Sequence, residues 1–428
     1  MPLKREQNEL LTRTGPGTAM GRMFRSYWLP TLIEEELPEN DCPPVRVQLL
    51  GERLLALRDT SGSMGLISEF CAHRRTSLWF GRNEADGIRC AYHGWKYDVT
   101  GQCVEVPSEG PETGFCQHIK LTSYPLVARG GILWTYMGPP EKQPPLPEYE
   151  FALVTPEQRF VSKRLQECNW LQALEGGIDS SHVSFLHRAT LNTDPLFKGA
   201  RSNQYNLDDA RPHFEVVEAP GGLFVGARRK AENGNWYWRV TPWVMPCLTI
   251  VPPRSDYPVH GHFWIPIDDE NCWAWSFDYH PTRALAKAEV AAMRDGHGVH
   301  VKYVPGTYRP RANKDNDYLM DRAAQKAGRS FSGVEGIAMQ DASLQESMGP
   351  IVDRSRENLV STDNGIIMAR DRLLAAVKAL AEQGTVPPGV DPAHHHVRSA
   401  AVILPDAKAF LPAAAEALTA RLGMPHAS

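Results

Sequence analysis

Residues 71–93 read CAHRRTSLWFGRNEADGIRCAYH. The stretch contains two similar loops, Cys71-Ala-His73 and Cys90-Ala-Tyr-His93, with 16 residues between them. Each loop offers one thiolate and one imidazole to a metal. A structural zinc site normally takes its cysteines from one turn, two to four residues apart, so the alternation of Cys and His fits zinc poorly. The spacing instead indicates two metal ions, with one ligand to each ion from each loop.

This ligand pattern predicts a Rieske [2Fe–2S] cluster in an all-β domain. In that centre two cysteines bind one iron and two histidines bind the other. We therefore expect Cys71, His73, Cys90 and His93 to be the cluster ligands. Imidazole ligands raise the reduction potential above that of a plant-type ferredoxin, so the cluster can pass electrons to a stronger oxidant.

A second group of ligand-type residues lies in residues 169–187, NWLQALEGGIDSSHVSFLH. His182 and His187 stand among apolar residues, where polar groups are costly unless something binds them. Two histidines and one carboxylate form the facial triad of non-haem Fe(II) oxygenases. The carboxylate can be the nearby Asp179 or the distant Asp363, and the residues alone do not choose between them.

The spacing of the two histidines has a structural consequence. Five residues along an ideal helix correspond to a rotation of about 140°, so His182 and His187 cannot both face one metal from a regular helix. We therefore expect a helix break or a π-bulge near Ser184, a device that is common at functional sites.

Composition and charge exclude several other classes of protein. The formal net charge is -4, so there is no electrostatic case for a nucleic-acid partner. We find neither an apolar signal region at the N-terminus nor a run of about 18 apolar residues, so we expect a cytoplasmic protein without a membrane partner. The eight cysteines are then expected to be thiols or metal ligands rather than disulfides.

Three stretches together resemble the α-subunit of Rieske ring-hydroxylating oxygenases, in the phthalate dioxygenase-like branch. They are the CAH and CAYH loops, CNWLQALEGGIDSSHVSFLH, and QDASLQESMGPIVDRSRENLVSTDNGIIMARDRLL. The resemblance extends over nearly the whole chain. It implies an α+β fold in which an all-β Rieske domain precedes a helix-grip (START-like) catalytic domain, whose large antiparallel sheet wraps a long helix over a mononuclear Fe(II).

The expected domains combine this resemblance with the sequence pattern. Short β-type runs end at a stretch rich in proline, which stiffens the chain. We expect an N-terminal helix within residues 1–23 that packs on the catalytic domain, a Rieske domain at residues 24–147, and the catalytic domain at residues 148–428.

The resemblance also assigns roles to individual residues. His182, His187 and Asp363 match the iron ligands of the family. Asp179 matches a catalytic bridging aspartate, which links a Rieske histidine of a neighbouring subunit to a histidine on the iron. A carboxylate that hydrogen-bonds to a histidine ligand, without binding the metal itself, usually orients that ligand. Electron transfer between subunits implies a ring, and the resemblance implies a homotrimer or stacked trimers.

The implied activity is O2-dependent cis-dihydroxylation of an aromatic carboxylate such as phthalate, isophthalate or a substituted benzoate. The electrons would come from NADH through a reductase that carries a flavin and a [2Fe–2S] centre. No G-x-G-x-x-G motif opens a helix after a strand in this sequence, so we expect the reductase to be a separate chain.

Substrate contacts are expected in the aromatic-rich strand that includes Trp243, because aromatic ligands favour apolar and aromatic walls. A carboxylate also favours arginine, whose planar guanidinium can bind both oxygens. Arg201, Arg228 and Arg239 are the candidates, and the alternative role of each is a structural ion pair.

Two other functions fit part of the pattern. A Rieske monooxygenase or O-demethylase acting on a substituted aromatic acid would use the same two metal centres. A Rieske electron carrier would need only the first domain, and the roughly 280 residues after the proline-rich stretch count against it.

Overall fold

The computed structural model describes residues 2–254, 256–406 and 408–420. Thr14–Pro144 form one compact unit, and the described residues before and after them form a second, larger unit. The boundary lies three residues before the expected one at residue 147. The expected segment 1–23 is divided, because its second half belongs to the smaller unit. Arg25, which follows this segment, is held within the smaller unit: its guanidinium donates to the carbonyl oxygen of Leu50 and pairs with Glu52 at 2.6 Å.

Helix α1 (Arg5–Thr12) belongs to the larger unit. The Asn8 side chain donates to the carbonyl oxygen of Val352 at 2.9 Å and accepts from Arg354 at 3.0 Å. The indole of Trp170 donates to the carbonyl oxygen of Leu11 at 3.1 Å. These bonds tie α1 to segments more than 150 residues away in the sequence.

The smaller unit contains two antiparallel sheets. Its elements are α2 (Ala19–Phe24), β1 (Trp28–Ile33), β2 (Val45–Leu49), β3 (Glu52–Arg58), β4 (Met64–Ser68), β5 (Arg82–Glu84), β6 (Gly87–Arg89), β7 (Lys96–Tyr97), β8 (Cys103–Glu105), β9 (Ser123–Arg129) and β10 (Ile132–Tyr136). One sheet has the order β1-β10-β9-β4-β3-β2, and the other has the order β5-β6-β7-β8. Buried Leu55, Ile67, Leu78, Ile88 and Tyr97 belong to one apolar core in this unit.

The larger unit combines helices with a large antiparallel sheet. Its further helices are α3 (Glu150–Leu153), α4 (Trp170–Ile178), α5 (Ser202–Asp208), α6 (Lys287–Arg294), α7 (Arg322–Lys326), α8 (Ile337–Ser347), α9 (Asn364–Gln383) and α10 (Phe410–Ala414). Its strands are β11 (Arg159–Gln166), β12 (His213–Ala219), β13 (Gly222–Lys230), β14 (Asn235–Val244), β15 (Leu248–Val251), β16 (Val259–Pro266), β17 (Cys272–Tyr279) and β18 (Ala400–Pro405). The strand order is β11-β17-β16-β15-β14-β13-β12, with β18 paired to β14. The expected α+β fold is confirmed.

Helix α4 packs closely on this sheet because of one glycine. A Cβ atom on Gly177 would lie 2.2 Å from the Trp264 ring and 2.8 Å from the Thr249 hydroxyl. Only a residue without a side chain allows the helix to come so near the strands. The helix begins at Asn169, whose side chain accepts from the amide of Leu171 at 3.1 Å, as a helix N-cap does.

A buried ion network joins α4 to the start of α9. Glu175 accepts from Arg354 at 3.0 Å and from Arg370 at 2.7 Å, and Arg370 also pairs with Glu357 at 2.6 Å. Burial raises the pKa of Glu175, but the two guanidiniums outweigh burial and lower it overall. Each buried charge therefore has a partner of opposite sign, which is the condition for tolerating buried ions.

Two helices pack on different strands of the sheet. Helix α4 packs on β15, β16 and β17, whereas the 20-residue helix α9 packs on β12 and β13. Across the ranges that the structure describes, no helix has both the length and the apolar composition needed to span a bilayer.

Candidate metal centres and substrate cavity

The two cluster loops of the smaller unit share one backbone turn. In each loop the cysteine amide donates to the carbonyl oxygen five residues later, at 2.9 Å for Cys71 and 2.8 Å for Cys90. The amide four residues later donates back to the cysteine carbonyl oxygen at 3.0 Å in both loops. That position has a positive φ in both turns, 61° at Arg75 and 76° at Gly94. The sequence similarity between the loops therefore reflects a repeated local geometry.

The turns place sulfur inside and imidazole outside. Cys71 and Cys90 are 2% and 3% exposed, whereas His73 and His93 are exposed. The two imidazole rings have centroids 4.4 Å apart, and Trp95 stacks on His73 at 4.8 Å. Burial raises the pKa of the Cys71 thiol, and the nearby Cys90 adds to this effect. The arrangement of two sulfurs together and two imidazoles together is the donor set that a Rieske cluster requires.

The second group of ligand-type residues lies where α4 ends. The helix stops at Ile178, Asp179 has extended backbone angles (φ -74°, ψ 129°), and His182–Ser184 form one 3-10 turn. The break was expected between His182 and His187, near Ser184. No regular helix joins the two histidines: α4 already ends at Ile178, before both of them, and the 3-10 turn ends at Ser184 without a π-bulge. The break allows both histidines to approach one point.

His182, His187 and Asp341 form a group whose potential ligand atoms all lie within 4.8 Å of one another. The Asp341 Oδ1 atom lies 3.2 Å from His187 Nε2 and 3.5 Å from His182 Nε2. Asp341 comes from α8, more than 150 residues after the histidines. Two imidazoles and one carboxylate in this arrangement fit the donor set of a mononuclear non-haem iron.

Hydrogen bonds fix the orientation of both imidazole rings. Asp179 Oδ2 lies 3.0 Å from His182 Nδ1, and Gln340 Oε1 lies 2.8 Å from His187 Nδ1. The Gln340 amide nitrogen donates to the carbonyl oxygen of Val334 at 3.1 Å, which identifies its other atom as the acceptor. Both Nδ1 atoms therefore carry hydrogen, so Nε2 is the atom of each ring that a metal would bind.

Asp363, which was the expected third ligand, does not belong to this group. Its Oδ2 atom accepts from the amide of Val360 at 2.7 Å, and the residue directly precedes α9. Asp341 takes the position beside the histidines. The choice of Asp363 came from the resemblance and disagrees with this arrangement, because a match over a whole segment does not show which of its carboxylates reaches the histidines. The preceding Gln340-Asp341 pair was the signal that we missed.

The charges of this site favour a cation. Burial raises the pKa of Asp341, but His187 and His182 outweigh burial and lower it to about 2. Burial lowers the pKa of His182, but the hydrogen bond to Asp179 and the charge of Asp341 outweigh burial and raise it to about 9. Asp341 is therefore ionised at neutral pH, as a metal ligand must be.

A cavity opens beside these three residues within the larger unit. Apolar side chains that line it include Val183, Phe197, Val251, Trp264, Val299 and Ile337. Polar side chains that line it include Arg164, Arg239, Thr241, Arg254, His260 and His262. Apolar walls combined with converging polar groups are the usual form of a binding site for a small molecule.

The substrate residues expected from the sequence separate into two groups. Arg239 lines the cavity, as expected of a substrate contact. Arg201 is 74% exposed and pairs with Glu232, and Arg228 pairs with Asp406 at 3.2 Å. These two arginines form ion pairs, which was the alternative to substrate binding for each of them.

Trp243 is also outside the cavity lining. Its side chain is 1% exposed, and its indole donates to the carbonyl oxygen of Pro246 at 3.2 Å. The strand pattern placed Trp243 and Arg239 on one face, but the cavity lies only beside the part of β14 that carries Arg239 and Thr241.

Sequence reasoning missed Arg164 and Arg254. Arg164 stands in strand β11, and Arg254 follows β15 directly after two prolines. A charged residue within or beside an otherwise apolar strand was the available signal. It could not show that both side chains reach the same cavity, because that depends on how the sheet curves.

Comparison with known proteins identifies both halves of the chain. The Rieske [2Fe-2S] domain family matches residues 27–125, and the family described as "LigXa C-terminal domain like" matches residues 135–414. The second match covers more than half of the chain.

Two relatives align along most of their length. The 3-chlorobenzoate-3,4-dioxygenase oxygenase subunit of Comamonas testosteroni is 38% identical over 405 residues, covering 91% of this chain and 92% of the relative. The phthalate 4,5-dioxygenase oxygenase subunit of Pseudomonas putida is 36% identical over 384 residues, covering 87% and 86%.

The fold is also similar to that of a solved structure. The structure of Pseudomonas putida CBB5 NdmA QL mutant with caffeine superposes with a TM-score of 0.59 at 17% identity, covering 90% of this chain and 98% of that one. The chain therefore belongs to the Rieske non-haem iron oxygenases, as an oxygenase (α) subunit that incorporates O2 and carries a Rieske [2Fe–2S] cluster and a mononuclear iron.

Proposed function

We propose that this oxygenase subunit catalyses the cis-dihydroxylation of an aromatic carboxylate. The observation that carries the proposal is the position of Arg239, which lines the same cavity as His182, His187 and Asp341. A guanidinium that faces an apolar cavity can bind the acid group of a ring and hold that ring near the metal ligands. The relatives named for 3-chlorobenzoate and phthalate support an aromatic acid.

The metal ligands that we propose follow from the two donor sets. Cys71, Cys90, His73 and His93 would hold the Rieske cluster, and the group of His182, His187 and Asp341 would hold the mononuclear iron. When bound, the cluster supplies electrons and the iron supplies the chemistry of O2 activation.

The chain's own residues bind and position the substrate in this proposal. Arg239 binds the carboxylate, while Phe197, Val251 and Ile337 pack on the ring and exclude water. Gln340 holds the His187 ring, so that its Nε2 stays directed toward Asp341. Correct placement of the ring beside the metal ligands is the main contribution that a protein makes to such chemistry.

Asp179 is proposed to connect the two kinds of centre between subunits. Its carboxylate is hydrogen-bonded to His182 Nδ1, so it can orient the His182 ring and place a negative charge beside the iron site. This role requires a neighbouring subunit, and a homotrimer or a stacked trimer would supply one. The partner reductase is expected to use NADH through a flavin and a [2Fe–2S] centre. The cytoplasmic location stays a prediction.

Labelled-oxygen analysis tests the reaction type. With 18O2, NADH and a surrogate reductase, we expect the product of an aromatic acid to contain two labelled oxygen atoms, measured by mass spectrometry. One labelled atom would show a monooxygenase, and loss of formaldehyde from a methoxy-substituted acid would show an O-demethylase. Either outcome contradicts cis-dihydroxylation while leaving the metal centres in place.

Removal of each candidate carboxylate tests the iron ligand. Asp341→Ala should reduce the iron content from about three to about two atoms per chain, because the mononuclear site loses a ligand while the cluster remains. The iron content is measured by elemental analysis, and the visible absorbance reports the cluster. Asp363→Ala is the matched control and should retain about three atoms. Loss of iron from the control alone would show that Asp363 is the ligand.

Substitution of Asp179 tests the proposed connection. Asp179→Asn keeps the shape of the side chain but removes its charge, so we expect both metals to be retained. In a single turnover, oxidation of the reduced Rieske cluster by O2 in the presence of substrate should slow by about 10- to 100-fold or more. Stopped-flow absorbance of the cluster measures this rate. An unchanged rate would exclude the proposed role.

A further inference from the structure

Three guanidiniums line the cavity, and none of them has an ion-pair partner among the described residues. Arg164, Arg239 and Arg254 are 5%, 3% and 4% exposed. In the part of the chain that the structure describes, none of them forms an ion pair with a carboxylate. The contrast is Arg354 and Arg370, which are equally buried but share Glu175. A buried charge without a partner is costly, so three of them in one cavity indicate that a ligand supplies the missing negative charge.

The hydrogen bonds of these arginines are also incomplete. Arg239 Nε and Nη1 are buried without an acceptor among the described residues, and so is Arg164 Nε. The remaining bonds of Arg164 are long and go to neutral groups, at 3.3 Å to Gln166 and 3.4 Å to Ser276. Arg254 donates from Nε to the neutral side chain of Asn203 at 3.1 Å.

The sheet separates these charges into two groups. Arg239 lies on β14, and Arg254 follows β15; the two are close enough that Arg239, after burial, lowers the pKa of Arg254. Arg164 lies on β11, with β17, β16 and β15 between its strand and β14. Neighbouring strands are about 4.8 Å apart, so Arg164 enters the cavity from a different part of the wall.

Asp341 does not satisfy the charge of Arg164. It attracts Arg164 electrostatically, but the two do not form an ion pair, and Asp341 Oδ1 lies against His187 and His182. The carboxylate is therefore committed to the histidine side of the cavity. Arg164 remains available to a ligand.

We propose that the substrate is an aromatic ring with two acid groups at non-adjacent positions. One acid group binds Arg239 and Arg254, and the second binds Arg164. A monoacid leaves one of these two sets of arginines without an anion. Two adjacent acid groups face the same part of the cavity wall, so they do not reach both sets. This inference rests on the proposed function, because it takes the cavity to be the site of an aromatic acid, and it adds Arg164 as a residue that determines specificity.

Binding of four acids to the holoenzyme tests the inference directly. Benzoate, phthalate, isophthalate and terephthalate are titrated by calorimetry without O2 or reductant. Either isophthalate or terephthalate should bind at least about tenfold more tightly than benzoate and phthalate, the scale of one charge-assisted bond. If benzoate binds as tightly as every diacid, or if phthalate binds most tightly, the inference is wrong.

The Arg164→Met variant separates specificity from a general structural role. Methionine fills similar space without charge, so the fold should be retained, as thermal unfolding checks. We expect the Kd of the preferred diacid to increase at least about tenfold and that of benzoate to stay within about twofold. Equal weakening of both acids would contradict the inference. Arg201→Met is the control and should change neither Kd, because Arg201 is exposed and outside the cavity.

Turnover distinguishes failure of this inference from failure of the proposed function. If monoacids are oxidised without any preference for diacids, only the inference about two acid groups is overturned. If no aromatic acid binds or is oxidised, the proposed function is overturned with it.

Discussion

The contact between α4 and α8 is the constraint on which the iron site depends, because the histidines follow α4 and Asp341 belongs to α8. Gly176 makes the contact possible, since a Cβ atom there would lie 2.2 Å from the Gln345 side chain. Gln345 is the link between the segments: its side chain accepts from Gln166 at 2.6 Å, and its carbonyl oxygen accepts from Gln172 at 3.0 Å. One turn before Gln345, Asp341 is thereby held beside both histidines. A shift of α8 would separate the carboxylate from the imidazoles without changing any ligand.

The larger unit contains two kinds of buried charge, one paired and one unpaired among the described residues. Around Glu175 every charge has a partner, which fixes α4 against α9. In the cavity the guanidiniums of Arg164, Arg239 and Arg254 lack ion-pair partners in the described chain, and we propose that a bound anion offsets their energetic cost. The first arrangement stabilises the fold, and the second is the proposed basis of affinity for an acid.

Local patterns predicted much of the architecture, and tertiary packing decided the rest. The cluster loops were recognisable because each is a single turn with its own ligands, and the α+β fold followed from the resemblance. His182 and His187 were found together because they stand in one short stretch. Asp341 and Arg164 were missed because their positions depend on how α8 and β11 meet segments that are distant in the sequence. Asp363 was chosen on the resemblance instead, and a match over a helical segment does not show where each carboxylate is directed.

We propose that residues from the end of α4 and from α8 converge on one iron. Anomalous diffraction from crystals of the holoenzyme, measured on both sides of the iron absorption edge, tests it most directly. We expect a single iron peak in the larger unit, within bonding distance of His182, His187 and Asp341, in addition to the cluster irons of the smaller unit. An iron peak bonded to Asp363, or one that lies away from either histidine, would contradict it.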